Sequence, residues 1–201
     1  MQQLIADFLA MNYLELSAVV LAIGYLLLAV KESLWCWAAA FVSTAIYLYL
    51  FFDARLYMES VLQVFYLAMA VYGWQQWRRG GAGGKSLEVS SYPLAVHGVA
   101  ITVVLALSAL SGWLLSSYTE AAFPYLDSFT TWSAVWTTFL VTRKKIENWL
   151  YWIVIDSLSI YIYDSRGLAL TALLFGLYVV ISVFGYISWQ NVRRQVLDSP
   201  G

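Results

Sequence analysis

The sequence predicts an all-α integral membrane protein with seven transmembrane helices. Three observations carry that prediction. The chain is 62% hydrophobic and only 11% charged, whereas an ordinary soluble domain is about a quarter charged. Its apolar runs are long, several reaching about 17 residues or more, which is bilayer-spanning length. And nine of its eleven lysines and arginines collect at one end of the runs so defined.

The spans fall at residues 13–30, 34–52, 57–76, 94–115, 126–142, 147–163 and 168–189. Ahead of the first, "MQQLIADFLAMN" has no basic region and holds Asp7, so it suits a short interfacial helix rather than a cleavable signal peptide. Only "KES" separates spans one and two, a turn brief enough for antiparallel neighbours. The third span runs into "RRGGAGGKSLEVSSYP", residues 78–93, whose glycines and serines suit a mobile loop. "GGAGGKS" superficially matches a phosphate-binding loop. That motif needs a glycine five positions before Gly84, where Arg79 stands, and a preceding strand. Neither is present, and the motif is set aside.

Lysine and arginine placement orients the spans. Lys31, Arg78, Arg79, Lys85, Arg143, Lys144, Lys145, Arg193 and Arg194 lie on one side; Arg55 and Arg166 lie on the other. The basic side is expected in the cytoplasm, with the N-terminus outside and the C-terminus inside. Net charge is −1, which gives no reason to expect a nucleic-acid partner. One cysteine, Cys36, excludes an internal disulfide, and one histidine, His97, excludes a multi-histidine site. No metal or cofactor is expected.

An internal repeat adds an architecture. Residues 53–77 resemble residues 164–189: Asp53-Ala54-Arg55 matches Asp164-Ser165-Arg166, and Tyr72-Gly73-Trp74 with Trp77 matches Phe184-Gly185-Tyr186 with Trp189. Upstream, Glu32, Trp35, Tyr47 and Tyr49 echo Glu147, Trp149, Tyr161 and Tyr163. The offset is 111 to 115 residues. Two copies of a three-helix unit need an intervening helix to share one orientation, because three is odd. Span four has no counterpart and fits that role. The expected organisation is a first three-helix bundle at 13–76, a cytoplasmic linker at 77–93, a linker helix at 94–115, a second bundle at 126–189 and a cytoplasmic tail at 190–201. Parallel repeats of this kind occur in transporters whose site lies between the halves.

The sixth span points to a site. Trp149, Trp152, Asp156, Ser159 and Tyr163 recur at spacings of three and four and form one stripe. Asp156 lies about 10 Å deeper than Trp149, where an aspartate costs about 2.5–3.5 kcal/mol on insertion scales. A ligand or a partner must offset that. Indole faces stack on flat heteroaromatic rings and attract cations, so the stripe suits a planar, cationic small molecule. In the third span Glu59, Gln63 and Tyr66 share a face, and the Gln63 amide suits hydroxyls or a carboxamide. Asp127 fits a helix-end role, and Tyr178 and Ser182 fit core packing. No nucleophile-and-base pair supports an enzyme.

These residues resemble the signature of the PnuC family of bacterial vitamin transporters, W-x-x-W-x-x-x-N/D, here Trp149, Trp152 and Asp156. "LQVFYLAMAVYGWQQW" and "FPYLDS" are also similar to that family's blocks, and the resemblance spans residues 15 to 190. It implies a 3+1+3 fold related to the SWEET sugar transporters, a homotrimer in the bacterial inner membrane, and facilitated diffusion of a non-phosphorylated vitamin precursor. Nicotinamide riboside is the substrate it implies first, with thiamine as the alternative and a cytoplasmic kinase trapping the product. The substrate-contacting residues it implies are Trp149, Trp152, Asp156 and Gln63; Asn148, Tyr163, Tyr66 and Ser159 join them as neighbours on the same faces. The family pattern allows Asn or Asp where Asp156 stands, and a cationic ring on either vitamin leaves the choice open. A proton symporter using Asp156, and a receptor that binds without transport, are the rival readings.

Overall fold

The computed structural model describes residues 12–53, 55, 57–119 and 122–198. The expected interfacial segment thus lies outside the described residues except for Asn12, as do the last three residues of the tail. The described residues form seven α-helices: α1 Tyr13–Val30, α2 Cys36–Asp53, α3 Tyr57–Arg79, α4 Leu94–Tyr118, α5 Pro124–Thr142, α6 Asn148–Ser165 and α7 Ala169–Asp198. A 3₁₀ turn, Ala82–Gly84, lies in the linker. The helix α7 continues to Asp198, into the segment expected as a tail.

Each boundary has a local cause. Asn12 caps α1 by accepting the Glu15 N–H at 2.7 Å. Pro124 opens α5 at a position where a missing N–H costs nothing. The ends of α1 and α5 are closed by the same device. Glu32 and Lys144 each adopt positive φ, 54° and 46°. The Glu32 N–H donates to Ala29 O at 3.0 Å and Ser33 N–H to Leu28 O at 2.9 Å; the Lys144 N–H donates to Val141 O at 3.0 Å and Lys145 N–H to Leu140 O at 2.9 Å. Both are Schellman turns with a charged residue where glycine is usual.

Four helices, α1, α2, α4 and α7, are long and apolar enough to cross a membrane. The other three have 23, 19 and 18 residues but carry too many polar groups to qualify by composition. Those groups are turned inward in α5 and α6: Ser133, Thr137, Thr138 and Thr142 are buried on α5, and Asn148, Asp156 and Ser159 on α6. Many outward-facing residues are large and apolar, as with Val99, Leu105 and Leu110 on α4 and Leu173, Val180 and Phe184 on α7.

Sequential helices pack as α1–α2–α3 and α5–α6–α7, α4 packs chiefly on α5, and two further contacts close the bundle: α3 on α5 and α7 on α1. Positions 112 apart hold equivalent roles. The turn residues Glu32 and Lys144 differ by 112, as do Arg55 and Gly167, both at positive φ. A Cβ on Gly73 would overlap the Trp37 ring, and one on Gly185 would overlap the Trp149 ring. This register corrects the pairings expected at other offsets: Glu32 corresponds to Lys144 and not Glu147, Tyr49 to Tyr161, and Phe51 to Tyr163. The counterpart of Trp149 is Trp37, not Trp35, which is 67% exposed and packs edge-on against Trp74. The counterpart of Arg55 is Gly167, so the two Asp-x-Arg motifs are offset by one. Hydrophobic similarity could not separate these registers; the turn geometry does.

Candidate functional site

A cavity of about 290 Å³ lies among the helices. Six of the seven helices line it and α4 contributes nothing. Its wall holds seven aromatic rings, from Tyr25, Trp37, Tyr47, Tyr66, Trp152, Phe175 and Tyr178. Asp156 is the one charged residue on it, and no lysine or arginine reaches it. Ser43, Thr44 and Thr138 add small polar groups, although the Ser43 hydroxyl is occupied, donating to Ala18 O at 2.8 Å. Four pairs of lining residues are 112 apart: Leu26 and Thr138, Ala40 and Trp152, Thr44 and Asp156, Tyr66 and Tyr178. Eight of the fifteen lining residues thus fall into pairs at one offset, and the other seven have no counterpart on the wall.

The expected site residues divide. Trp152, Asp156 and Tyr66 line the cavity. Asp156 is 3% exposed. Tyr163 stands behind the wall, stacked on Phe175 with centroids 5.2 Å apart and planes at 11°. Ser159 is turned back on its own helix, donating to Ile155 O at 3.0 Å. Gln63 is half-buried on α3 and off the cavity wall. Asn148 is fully buried at the start of α6, where its amide donates to Lys145 O at 2.7 Å.

Trp149 also stays off the wall. It is 1% exposed and meets Trp189 edge to face at 5.4 Å. One helical turn nearer the end of α6 than Trp152, it lies at the level of Gly185, which makes room for its ring. Trp149 and Trp152 therefore do not face one another across the chamber. The rings that do share the chamber with Trp152 come from α1, α2, α3 and α7. Sequence reasoning missed Tyr25, Trp37, Tyr47 and Phe175, and assigned Tyr178 to core packing although it lines the cavity, because aromatic residues in apolar spans give no local signal of facing inward. The 112-residue register was the available signal: Trp37 and Tyr66 are the counterparts of Trp149 and Tyr178.

A family model described as a nicotinamide mononucleotide transporter matches residues 12–191. The chain belongs to the nicotinamide mononucleotide transporter family. It is a multi-pass membrane protein of the transporter class, and the resemblance to PnuC proteins holds. The nicotinamide riboside transporter PnuC of Escherichia coli is 28% identical over 171 residues, covering 73% of this chain and 72% of that protein. The riboflavin/roseoflavin transporter RibM of Streptomyces davaonensis is 25% identical over 178 residues, covering 87% and 80%. A crystal structure of a vitamin B3 transporter PnuC superposes with a TM-score of 0.72 at 20% identity, over 96% of this chain and 87% of that one. That likeness concerns the fold.

These relatives are named for nicotinamide riboside and for riboflavin or roseoflavin. Nicotinamide riboside and riboflavin each join a planar heteroaromatic ring to a hydroxyl-bearing five-carbon group, a ribose ring in one and an open chain in the other. An aromatic chamber with scattered hydroxyls suits that shared chemistry. A phosphate would need cationic or N–H partners, and the wall offers a carboxylate instead.

Proposed function

We infer that this protein carries a non-phosphorylated, cationic vitamin precursor across the bacterial inner membrane, with nicotinamide riboside as the substrate. The observation that carries this reading is Asp156, the one charged group on an otherwise aromatic wall. Aromatic faces and a buried carboxylate both favour a cationic ring. Trp152 supplies a stacking face and Asp156 the counter-charge or a ribose contact. Tyr66 and Tyr178 bracket the ring from equivalent positions on α3 and α7. Trp149, Asn148, Ser159 and Tyr163 support this face of α6 from behind, and Gln63 is reserved for a conformation in which α3 turns.

The architecture proposed is 3+1+3, with α1–α3 and α5–α7 as parallel repeats, α4 as the joining helix, and the lysine- and arginine-rich end in the cytoplasm. The 112-residue equivalences support the repeat, and the charge asymmetry supports the orientation. Transport is by alternating access and facilitated diffusion, since Asp156 is the only carboxylate on the wall. The assembly proposed is a homotrimer, with a cytoplasmic kinase trapping the product. Thiamine, which also carries a cationic ring, is the second substrate reading.

Calorimetric titration of the purified protein with nicotinamide riboside, thiamine and riboflavin tests this. Saturable binding of the riboside, and uptake of it by proteoliposomes that an uncoupler leaves unchanged, is the expected result. Tight binding of thiamine alone moves the substrate; binding of riboflavin alone removes the counter-charge argument; uptake that collapses with the uncoupler makes Asp156 a proton carrier.

A further inference from the structure

Four tryptophans separate the cavity from the lysine-rich end of the bundle. Trp37 lines the cavity and meets Trp77 edge to face at 5.4 Å. Trp77 meets Trp189 at 5.9 Å, and Trp189 meets Trp149 at 5.4 Å. All four are buried. Beyond them Lys144 lies 4.7 Å above the Trp77 ring and pairs with Glu32 at 2.9 Å. The layers are thus cavity, indole floor, ion pair.

Every bond across this floor joins one repeat to the other. Trp77 on α3 donates its indole N–H to Val141 O at the end of α5, at 2.9 Å. Trp189 on α7 donates to Ala29 O at the end of α1, at 3.0 Å. Donors and acceptors are both 112 apart, so the two bonds are equivalent. The ion pair joins equivalent positions too, one acidic and one basic. Glu32 and Lys144 hold these charges in a left-handed backbone conformation that glycine adopts at less cost. Strain retained at two equivalent turns is accounted for by what their side chains do.

We propose that the Trp77 and Trp189 hydrogen bonds, with the Glu32–Lys144 pair, form a gate that closes this end of the cavity and parts when the two repeats rock. This rests on the transporter reading. The bonds suit a latch that opens at low cost. Ala29 O and Val141 O each already accept a backbone N–H from their own turn, so neither carbonyl is orphaned when the indole leaves. The buried Trp37 and Trp149 N–H groups have no partner in the closed floor and gain water when it opens, which offsets part of what the latch loses.

Cys36 reports on the gate directly. It is the chain's only cysteine, fully buried, and packed in the cluster that holds all four tryptophans. The experiment is the rate of maleimide labelling of Cys36 in detergent-purified protein, with proteoliposome uptake measured alongside. Trp77→Phe/Trp189→Phe keeps an aromatic ring, though a smaller one, at each position and removes both N–H donors; labelling is expected to rise roughly tenfold or more, the weight of one to two hydrogen bonds. Lys144→Gln is expected to raise it as well, and the exchange Glu32→Lys/Lys144→Glu to bring it back towards wild type. Gly112→Ala, which strains the α4–α5 contact at Tyr125, controls for general destabilisation and is expected to leave the rate unchanged. A monodisperse Phe double variant, or should it fail to fold the Lys144→Gln variant, labelled no faster than wild type would overturn the gate. So would equal acceleration by Gly112→Ala. Labelling needs no substrate, so either failure leaves the transport reading standing.

Discussion

Trp77 and Trp189, 112 residues apart in the chain, meet edge to face with ring centroids 5.9 Å apart, Trp77 donating its indole N–H to Val141 O at the end of α5 and Trp189 to Ala29 O at the end of α1. The two rings sit where α3 and α7 converge. On one side of them lies the cavity, whose wall is aromatic, aliphatic and small polar apart from Asp156; on the other Lys144 lies over the Trp77 ring and pairs with Glu32.

Asp156 is the one charged residue on the cavity wall. Asp156→Asn keeps size and hydrogen-bonding capacity and removes the counter-charge. Affinity for a cationic substrate is expected to fall by about tenfold to hundredfold, the worth of a charge-assisted contact. Calorimetry on the purified variant measures this. A neutral flavin would bind the variant no worse, and that contrast isolates charge from shape.

The two tryptophans of α6 are expected to fail in different ways. Trp152 lines the cavity and is only part-buried, so Trp152→Ala costs binding while the thermal midpoint stays near wild type. Trp149 is fully enclosed against Trp189 and Gly185. Trp149→Ala leaves a void of ring size and costs about 3–5 kcal/mol of stability. Thermal unfolding paired with ligand titration separates the two; loss of binding with full stability in Trp149→Ala would place that ring on the substrate instead.

Glycines at equivalent positions make a paired stability test. Gly73→Ala and Gly185→Ala each drive a methyl group into an indole ring, and each is expected to destabilise by about 1–3 kcal/mol. Nothing lies within 4 Å of a Cβ built on Gly24 or Gly176. Gly24→Ala and Gly176→Ala are expected to stabilise by about 0.5–1 kcal/mol, because alanine loses less backbone freedom in a helix. Midpoints moving in one direction for all four would refute the packing account.

Arg55 closes the turn after α2 at φ 60°, where its equivalent is Gly167 at 74°. Arg55 is exposed. Arg55→Gly removes left-handed strain and is expected to raise stability by about 1 kcal/mol. The same change at Glu32 relieves similar strain and breaks the Lys144 pair, so Glu32→Gly is expected to gain less. Chemical denaturation of the two variants side by side gives the difference.

Much of this was legible in the chain. Apolar length and the lysine–arginine bias gave a membrane bundle, because bilayer thickness and translocation act on sequence directly. The stripe on α6 marked Asp156 and Trp152, because a charge deep in an apolar segment is too costly to stand without a purpose. Aromatic-glycine-aromatic blocks pointed to Gly73 and Gly185, each of which packs against a tryptophan ring. The register did not follow: Trp35 and Trp37 are equally plausible partners for Trp149 in sequence, and only the left-handed turns at Glu32 and Lys144 fix which one packs on its glycine. Nor could sequence say which face of each apolar helix turns inward, since lipid and protein interior are equally apolar. Packing of six helices decided that Trp149 belongs to the floor, that Tyr25 and Tyr47 belong to the chamber, and that an acidic and a basic residue 112 positions apart meet at its closed end.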